Sequence, residues 1–356
     1  MTTQQIDMAK AEAFGGAVVG MLNGAALTNM ISIGHQTGLF DAMATMPPST
    51  SAQIAQATGL NERYVREWLG CMTVGRIVEH DPVALTYALP PEHAASLTRA
   101  AGPGNLASFA QFFPQLMAVE AGIIDAFRNG GGVPYDGFPR FQEMMREESA
   151  QVFDATLLQS TLPLVEGLTA RLEAGIDVAD VGCGAGHAIN LMARRYPKSR
   201  FTGFDFSDEG VARGTAEAKE WGLTNAKFVV KDAATLDGSE QFDLITTFDS
   251  VHDQAKPARV LEGIAKSLRP DGVYLCVDIA ADSSHAGNMD HPLAPFLYMI
   301  STTHCMTVSL AYGGEGLGTA WGTQLATSMM RDAGFSQIAV HNVEGDIMNN
   351  YYVARR

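Results

Sequence analysis

The sequence predicts an α/β protein in which a mostly parallel sheet follows a helical N-terminal domain. From Asp177 to Ser207 it has the pattern of a strand, a glycine turn, a helix and a second strand, and strands alternate with helices beyond that point. Between residues 50 and 89, two short helical patterns about a tight turn precede a hairpin pattern. We therefore expect a winged helix-turn-helix domain at 1–100, a helical segment at 101–170 and a sheet domain at 171–356.

The composition limits the possible partners. With 356 residues and 46% apolar content, the chain can bury a large core. Its net charge of -15 argues against non-specific binding to nucleic acid or to an anionic membrane. The four cysteines form no paired motif, which indicates a reducing compartment, and we expect a cytoplasmic protein.

The first element is an uncharged segment from Ala13 to Gly34. It is long enough to suggest a membrane span, but it contains several polar residues, including Asn23 and Asn29, and no basic segment precedes it. We predict a helix buried between the two subunits of a homodimer. A helix buried within its own domain is the alternative.

The winged helix-turn-helix prediction depends on local signals. Thr50 or a neighbouring serine can cap one helix, and Asn61 can cap a second one that runs to Val74. The wing is expected to pair Arg76–Glu79 with Leu85–Leu89 across a turn at residues 80–82. Residues 1–100 contain five basic and eight acidic residues, so this domain has no excess of positive charge for phosphates. We therefore expect it to mediate dimerisation rather than DNA binding.

Residues 101–170 are expected to be helical, with a break at Asn129–Gly132. Such a segment can link the two domains and cover a pocket. Tyr135, just after the break, is the candidate substrate contact in this region, although aromatic residues at helical spacing also occur in ordinary cores.

The glycine turn contains Gly182, Gly184 and Gly186, and Asp180 stands two residues before the first of them. Glycines allow a ligand to approach the backbone amides at a helix N-terminus. A buried carboxylate at this place would repel a pyrophosphate but attract the ammonium and sulfonium charges of S-adenosylmethionine. The pattern therefore favours S-adenosylmethionine over a nicotinamide dinucleotide.

The strands that follow end in acidic residues. Asp205 ends the second strand at the distance from the glycines where a carboxylate binds ribose hydroxyls. Asp232, Asp249 and Asp278 follow three later strands, and Asp232 lies where it could reach an adenine amino group. Residues 337–343 and 349–354 are expected to form an antiparallel hairpin at the sheet edge.

Residues 177–356 resemble the class I S-adenosylmethionine-dependent methyltransferases. The resemblance is carried by VADVGCGAG, GFDFS, KDAATL, FDLITTFDSVHD and SLRPDGVYLCVD, in the order of that family. It implies a Rossmann-like sheet with a reversed edge strand. It also implies cofactor contacts, from the methionyl group through the ribose to the adenine. The residues concerned are Asp180, Gly182, Cys183, Gly184, Gly186, Asp205, Phe206, Asp232, Ala233, Phe248 and Asp249.

The N-terminal half resembles the winged-helix dimerisation domain of small-molecule O-methyltransferases. The strings GLNERYVREWLG and HCMTVSLAYGGEGLGTAWG are similar to actinobacterial winged-helix methyltransferases, which are often labelled regulators. Asp271 stands where the methyltransferase family usually has a glycine, in the turn before the strand at 273–277. The resemblance implies a small-molecule methyl acceptor and a homodimer. We expect the long segment after the fifth strand to face the substrate, with His304 and Trp321 as candidate contacts.

His252 and Asp253 are the candidate catalytic residues, because their HD pair resembles the catalytic histidine motif of plant-type O-methyltransferases. A histidine that only packs beneath the cofactor is the alternative. The histidines show no metal-ligand spacing, so we expect no metal. Two functions of different class remain open: a methyltransferase, with O-methylation favoured over C- or N-methylation, and a DNA-binding regulator that senses S-adenosylmethionine. A dehydrogenase fits less well.

Overall fold

A computed structural model describes residues 6–356. The chain divides into two compact units, of which the first ends at Pro114 and the second runs from Gln115 to Arg356. The helices and strands of the first unit, together with the helix that crosses its boundary, are α1 (Met8–Gln36), α2 (Leu39–Met43), α3 (Ser51–Thr58), α4 (Glu62–Val74), β1 (Glu79–Asp81), β2 (Thr86–Ala88), α5 (Pro91–Leu97), α6 (Leu106–Phe109) and α7 (Phe112–Met117).

Helices α3 and α4 form the predicted pair and begin at the predicted caps. The Thr50 side chain accepts a hydrogen bond from the backbone N–H of Gln53, whose side chain accepts one from the Thr50 N–H in return. The side chain of Asn61 accepts a hydrogen bond from the N–H of Arg63 at 3.0 Å. These caps satisfy amides that would otherwise lack partners at the two helix starts.

The wing is present, but its first strand begins three residues later than predicted. The backbone N–H groups of Ile77 and Val78 donate to the carbonyl of Met72, at 2.8 and 3.2 Å, and so complete the end of α4. Strand β1 therefore starts only at Glu79. The Asp81 side chain accepts hydrogen bonds from the N–H groups of the next turn, which places the turn after the predicted position.

Only the C-terminal part of helix α1 packs within the chain, where Leu27 and Ile31 lie against the core of the first unit. Its buried residues are confined to the last turns, while Phe14, Val19 and Leu22 expose 68%, 57% and 66% of their surfaces. By length and composition it meets the criteria for a membrane-spanning helix, a test that core helices also pass. The predicted subunit interface would bury this surface and remains a prediction.

In the second unit, short helices precede and surround a seven-stranded sheet. The predicted helical stretch before the glycine break is divided into α6, α7 and α8, and α8 ends at the expected Asn129. The helices are α8 (Glu120–Asn129), α9 (Phe141–Thr156), α10 (Leu168–Ala174), α11 (His187–Arg195), α12 (Asp208–Glu220), α13 (Pro257–Ser267), α14 (Ala294–Ile300), α15 (Met306–Ala311) and α16 (Gly322–Asp332). The strands are β3 (Asp177–Val181), β4 (Arg200–Asp205), β5 (Ala226–Val230), β6 (Phe242–Phe248), β7 (Leu268–Ile279), β8 (Gln337–His341) and β9 (Asn349–Arg355).

The strand order is β5-β4-β3-β6-β7-β9-β8, and only β9 runs antiparallel to its neighbours. The predicted parallel sheet with a reversed strand near its edge is thus confirmed. Alternate residues of each strand pack on opposite faces. Val178 and Leu244 lie in the core that includes α11, whereas Ala179 and Ile245 lie in the core that includes α13. The polar residues of interest are left at the carboxyl ends of the strands.

Candidate active site

The glycine turn after β3 has a backbone that other residues would rarely adopt. Gly182, Gly184 and Gly186 have φ values of 74°, 53° and 72°. A Cβ at Gly182 would lie 2.6 Å from Ser250, so that position is sterically closed. A Cβ at Gly184 would meet nothing within 4 Å. The turn therefore presents open backbone at the N-terminus of α11, where a ligand can approach.

Asp205 lies against this turn, as the sequence predicts. Its carboxylate accepts hydrogen bonds from the backbone N–H groups of Gly184 and Ser207, each at 2.8 Å. Burial raises the pKa of Asp205, and these hydrogen bonds offset part of the rise. The loop and the carboxylate are thus held as one unit. Contact with a ribose stays a prediction.

Asp180 is buried beneath the turn. Its Oδ1 accepts a hydrogen bond from the hydroxyl of Thr246 at 2.8 Å. Burial raises its pKa to about 7, and the nearby charge of Asp205 adds to the rise. Burial also raises the pKa of the Cys183 thiol, which stays neutral. The turn therefore contains a carboxyl group whose ionisation a nearby cation would favour.

The remaining predicted cofactor residues lie at the ends of β4, β5 and β6. Asp232 is exposed and caps a short turn by accepting a hydrogen bond from the N–H of Ala234 at 2.9 Å, while Ala233 is buried. Phe206 is 45% exposed, and its ring meets that of Tyr135 edge to face. Phe248 is half-buried. These positions are consistent with a cleft along the strand ends.

Asp249 has an unusual environment. Its backbone is left-handed, with φ of 46°, and its side chain is exposed to solvent although protein surrounds it. Burial raises its pKa to about 8, and the charge of Asp278 contributes. Among residues 6–356, no side chain donates a hydrogen bond to its carboxylate. Asp249 thus lies at the carboxyl end of β6 with access to solvent.

His252 is buried and forms a short hydrogen bond, 2.7 Å long, between its Nδ1 and Oδ1 of Asp278. The same oxygen accepts hydrogen bonds from the indole N–H of Trp321 at 3.1 Å and from the backbone N–H of Ile279 at 2.8 Å. The thiol of Cys305 is a further hydrogen-bonding neighbour of the imidazole. Burial alone would lower the pKa of His252, but the carboxylate of Asp278 raises it well above the ordinary value.

The structure identifies the acid that orients His252 and changes one sequence prediction. From the sequence, either Asp253 or a nearby acid could hold the imidazole, and the structure gives this contact to Asp278. Trp321, which we expected to contact the substrate, is packed in the core of the sheet domain and holds Asp278 through its indole. The sequence could not show which way the side chain of Trp321 points, because this residue follows a glycine-rich loop.

Asp253 is half-buried beside His252. Burial raises its pKa to about 7; the charge of His252 lowers it, and the charges of Asp278 and Asp205 raise it. Among the described residues, only its own backbone N–H donates to its carboxylate. Asp253 is therefore an open carboxyl group in the cleft rather than a support for His252.

An aromatic cluster joins residues 135–141 to His304. The ring of His304 stacks on Phe141, with centroids 3.9 Å apart and planes inclined by 15°. The rings of Tyr135 and Phe138 meet it edge to face, at 5.3 and 4.8 Å. The structure thus brings together the predicted Tyr135 and His304. Phe138 and Phe141 also belong to this cluster, although the sequence analysis did not name them. Their three-residue spacing from Tyr135 was the signal that could have identified them.

The cluster borders a cavity of about 580 Å³, within the usual size of small-molecule sites. Its walls are Tyr135, Asp136, Phe138, Arg140, Phe141, Gln142, Glu143, Phe206, Ser207, Glu209, Arg213 and Tyr312. In the described part of the chain, no group of three His, Cys, Asp or Glu side chains could hold a metal ion.

Family models match both halves of the chain. An Rv2258c-like winged HTH domain matches residues 25–99, and a methyltransferase domain matches residues 172–334. Among curated relatives, the (S)-coclaurine N-methyltransferase of Papaver somniferum is 30% identical over 104 residues, which cover 29% of this chain and 30% of that protein. The chain matches less than half the length of each of the first curated relatives.

Solved structures match along almost the whole chain. Human N-acetylserotonin methyltransferase in complex with S-adenosylmethionine has a TM-score of 0.68 and 18% identity, covering 100% of this chain and 99% of that one. The mitomycin 7-O-methyltransferase has a TM-score of 0.70 and 17% identity, covering 98% and 100%. At these identities the likeness establishes the fold, a winged-helix domain followed by a Rossmann-like methyltransferase domain.

Proposed function

We propose that this chain, which combines an Rv2258c-like winged helix-turn-helix domain with a methyltransferase domain, transfers a methyl group from S-adenosylmethionine to a small-molecule acceptor. The observation that carries the proposal is the open glycine turn at Gly184, held to the carboxylate of Asp205 above the buried Asp180. This arrangement offers backbone amides, a ribose-binding carboxylate and a negative environment in one place.

The residues present fit the cofactor. Gly182, Cys183, Gly184 and Gly186 would hold its methionyl part, with Asp180 favouring its positive charge. Asp205 and Phe206 would hold the ribose, and Asp232 with Ala233 the adenine. Phe248 and Asp249 would border the transfer site. When bound, the cofactor supplies a methyl group activated by a sulfonium, so the protein mainly has to position the acceptor for in-line attack.

His252 would remove the proton from an acceptor hydroxyl, and O-methylation is the favoured reaction. The contact between its Nδ1 and Asp278 fixes the ring and leaves Nε2 as the reacting nitrogen. A histidine with the ordinary pKa of about 6.5 is mostly neutral near pH 7. Because Asp278 raises the pKa of His252, the neutral base instead forms at higher pH than in an isolated histidine.

We further propose a homodimer assembled through the N-terminal domain. Helix α1 leaves large apolar side chains exposed, and a second copy would cover them. On α4, the helix expected to face DNA in a regulator, Arg63 and Arg66 are ion-paired with Glu67 and Glu62. The regulator alternative is therefore disfavoured. The four cysteines are all free, in keeping with a cytoplasmic protein.

Calorimetry tests the proposal directly. S-adenosylmethionine and its demethylated product, S-adenosylhomocysteine, should both bind more tightly than NAD. Asp205→Ala should weaken S-adenosylmethionine by ~1.5–3 kcal/mol, as expected for hydrogen bonds to a charged group. Asp237→Ala, an exposed carboxylate outside the site, is the matched control. Equal or tighter binding of NAD would overturn the assignment.

A further inference from the structure

We propose that His187 is a positioning residue whose imidazolium ring ties helix α9, and with it the aromatic wall, to the glycine turn of the cofactor site. The aromatic wall is the cluster of Tyr135, Phe138, Phe141 and His304, the first three of which line the cavity. The inference rests on the proposed methyl transfer. It assigns to one side chain the coupling between the cofactor site and the cavity that would receive the acceptor.

The first support is the position of His187. It is the first residue of α11 and directly follows Gly186, the last glycine of the turn. Its side chain is 10% exposed and lies between two carboxylates of other helices. Its Nδ1 lies 2.8 Å from Oε1 of Glu217 in α12, and its Nε2 lies 3.1 Å from Oδ1 of Asp154 in α9. One imidazole ring therefore joins α9, α11 and α12.

The second support is that two carboxylate partners require the doubly protonated ring. A neutral imidazole has one N–H, so its other nitrogen would turn a lone pair toward a carboxylate, whereas an imidazolium donates from both nitrogens. Burial lowers the pKa of His187, but Glu217 and Asp154 outweigh burial and raise the pKa above its ordinary value. The tie is therefore complete at low pH and is lost as pH rises through this pKa.

The other charged groups around the ring act through its neighbours. Burial raises the pKa of Glu217, but the hydrogen bond with His187 and the charge of Arg146 in α9 help to lower it below the ordinary value. The guanidinium of Arg194 lies 4.2 Å from the centre of the Trp221 ring, which meets His187 edge to face. Glu217 is thus ionised near pH 7, so protonation of His187 itself decides whether both contacts hold.

The third support is that α9 extends from this tie to the cavity. Asp154 lies near the end of the helix, beside Phe153, whose ring meets that of Phe248 edge to face with centroids 4.9 Å apart. Phe248 ends β6, where the proposed methyl transfer takes place. Phe141 begins the helix, lines the cavity and stacks on His304. The position of α9 therefore fixes one wall of the cavity relative to the glycine turn.

Hydrogen exchange of the full chain, followed by mass spectrometry at pH 6.0, tests the tie. The probe is S-adenosylhomocysteine at saturation, which would rest on the glycine turn. Its binding should slow exchange of the α9 amides by about threefold, the scale of a half-exposed ion pair. Asp154→Ala should abolish this protection while the ligand stays bound. Asp154→Glu keeps the charge and should retain the protection, as should Asp237→Ala, which removes an exposed carboxylate elsewhere.

The pH dependence separates this role from simple packing. NMR of isotope-labelled histidine gives the pKa of His187, and the protection of α9 in the wild type should vanish as pH rises through that value. Asp154→Ala should lower this pKa, and Asp237→Ala should leave it unchanged. The inference is wrong if α9 gains no protection in the wild type, if the protection survives in Asp154→Ala, or if that variant leaves the pKa unchanged. Absence of S-adenosylhomocysteine binding in the wild type would instead overturn the proposed function.

Discussion

Binding of S-adenosylmethionine should strengthen as pH rises, because Asp180 must ionise to attract its positive charge. Burial raises the pKa of Asp180 to about 7. Below that pH the carboxyl group is mostly protonated and neutral. A cation binds preferentially to the ionised form, so affinity increases with pH and levels off above the pKa.

The size of the effect follows from the ionised fraction. For a pKa of about 7, that fraction rises from roughly 0.1 at pH 6 to roughly 0.75 at pH 7.5. If only the ionised form contributes, affinity should rise about eightfold, which corresponds to ~1.2 kcal/mol. Asp253, with a pKa of about 7, and Asp249, with a pKa of about 8, ionise in the same direction and would steepen the rise.

Calorimetric titrations at pH 6.0, 6.5, 7.0 and 7.5 measure this dependence. S-adenosylhomocysteine serves as a ligand control because it has the same amino-acid group but no sulfonium, so the ratio of the two affinities isolates the sulfonium. Asp180→Asn keeps the shape of the side chain and its contact with Thr246 and should flatten the rise. An affinity for S-adenosylmethionine that stays constant or falls over this range would refute the reasoning, as would an unchanged slope in Asp180→Asn.

Further predictions concern catalysis and assembly. His252→Ala should lower turnover by about 10²–10⁴-fold with nearly unchanged S-adenosylmethionine affinity, and retention of most turnover would show that His252 only packs. Asp278→Asn should move the pH midpoint of turnover downward, because it removes the charge that raises the His252 pKa; an unchanged midpoint would exclude that coupling. Phe14→Glu with Leu22→Glu should convert a dimer to a monomer in light scattering, whereas a dimer that persists would place the interface elsewhere.

The sequence identified the features that depend on neighbouring residues. The glycine turn, its distance to Asp205 and the caps at Thr50 and Asn61 are local patterns, so they could be recognised without a structure. The first strand of the wing was misplaced because Met72 accepts two amides from the expected strand.

Contacts between distant parts of the chain were harder to predict. The pairing of His252 with Asp278 joins a residue that follows β6 to one near the end of the adjacent β7, and Trp321 reaches the same carboxylate from much farther along the chain. The raised pKa of His252 could not be predicted for the same reason, because a reference pKa takes no account of a partner such as Asp278.

The turn between α14 and α15 gives the aromatic wall and His252 a common support. Residues Ser301–Cys305 form a π-turn, which accommodates one more residue than an α-helical turn. It ends with His304 in the aromatic wall and Cys305 beside His252. Removing one residue here would rotate the adjoining helix by about 100°, so both side chains would lose their places together. A single-residue deletion in this turn would therefore displace part of the aromatic wall and the thiol neighbour of His252 in one step.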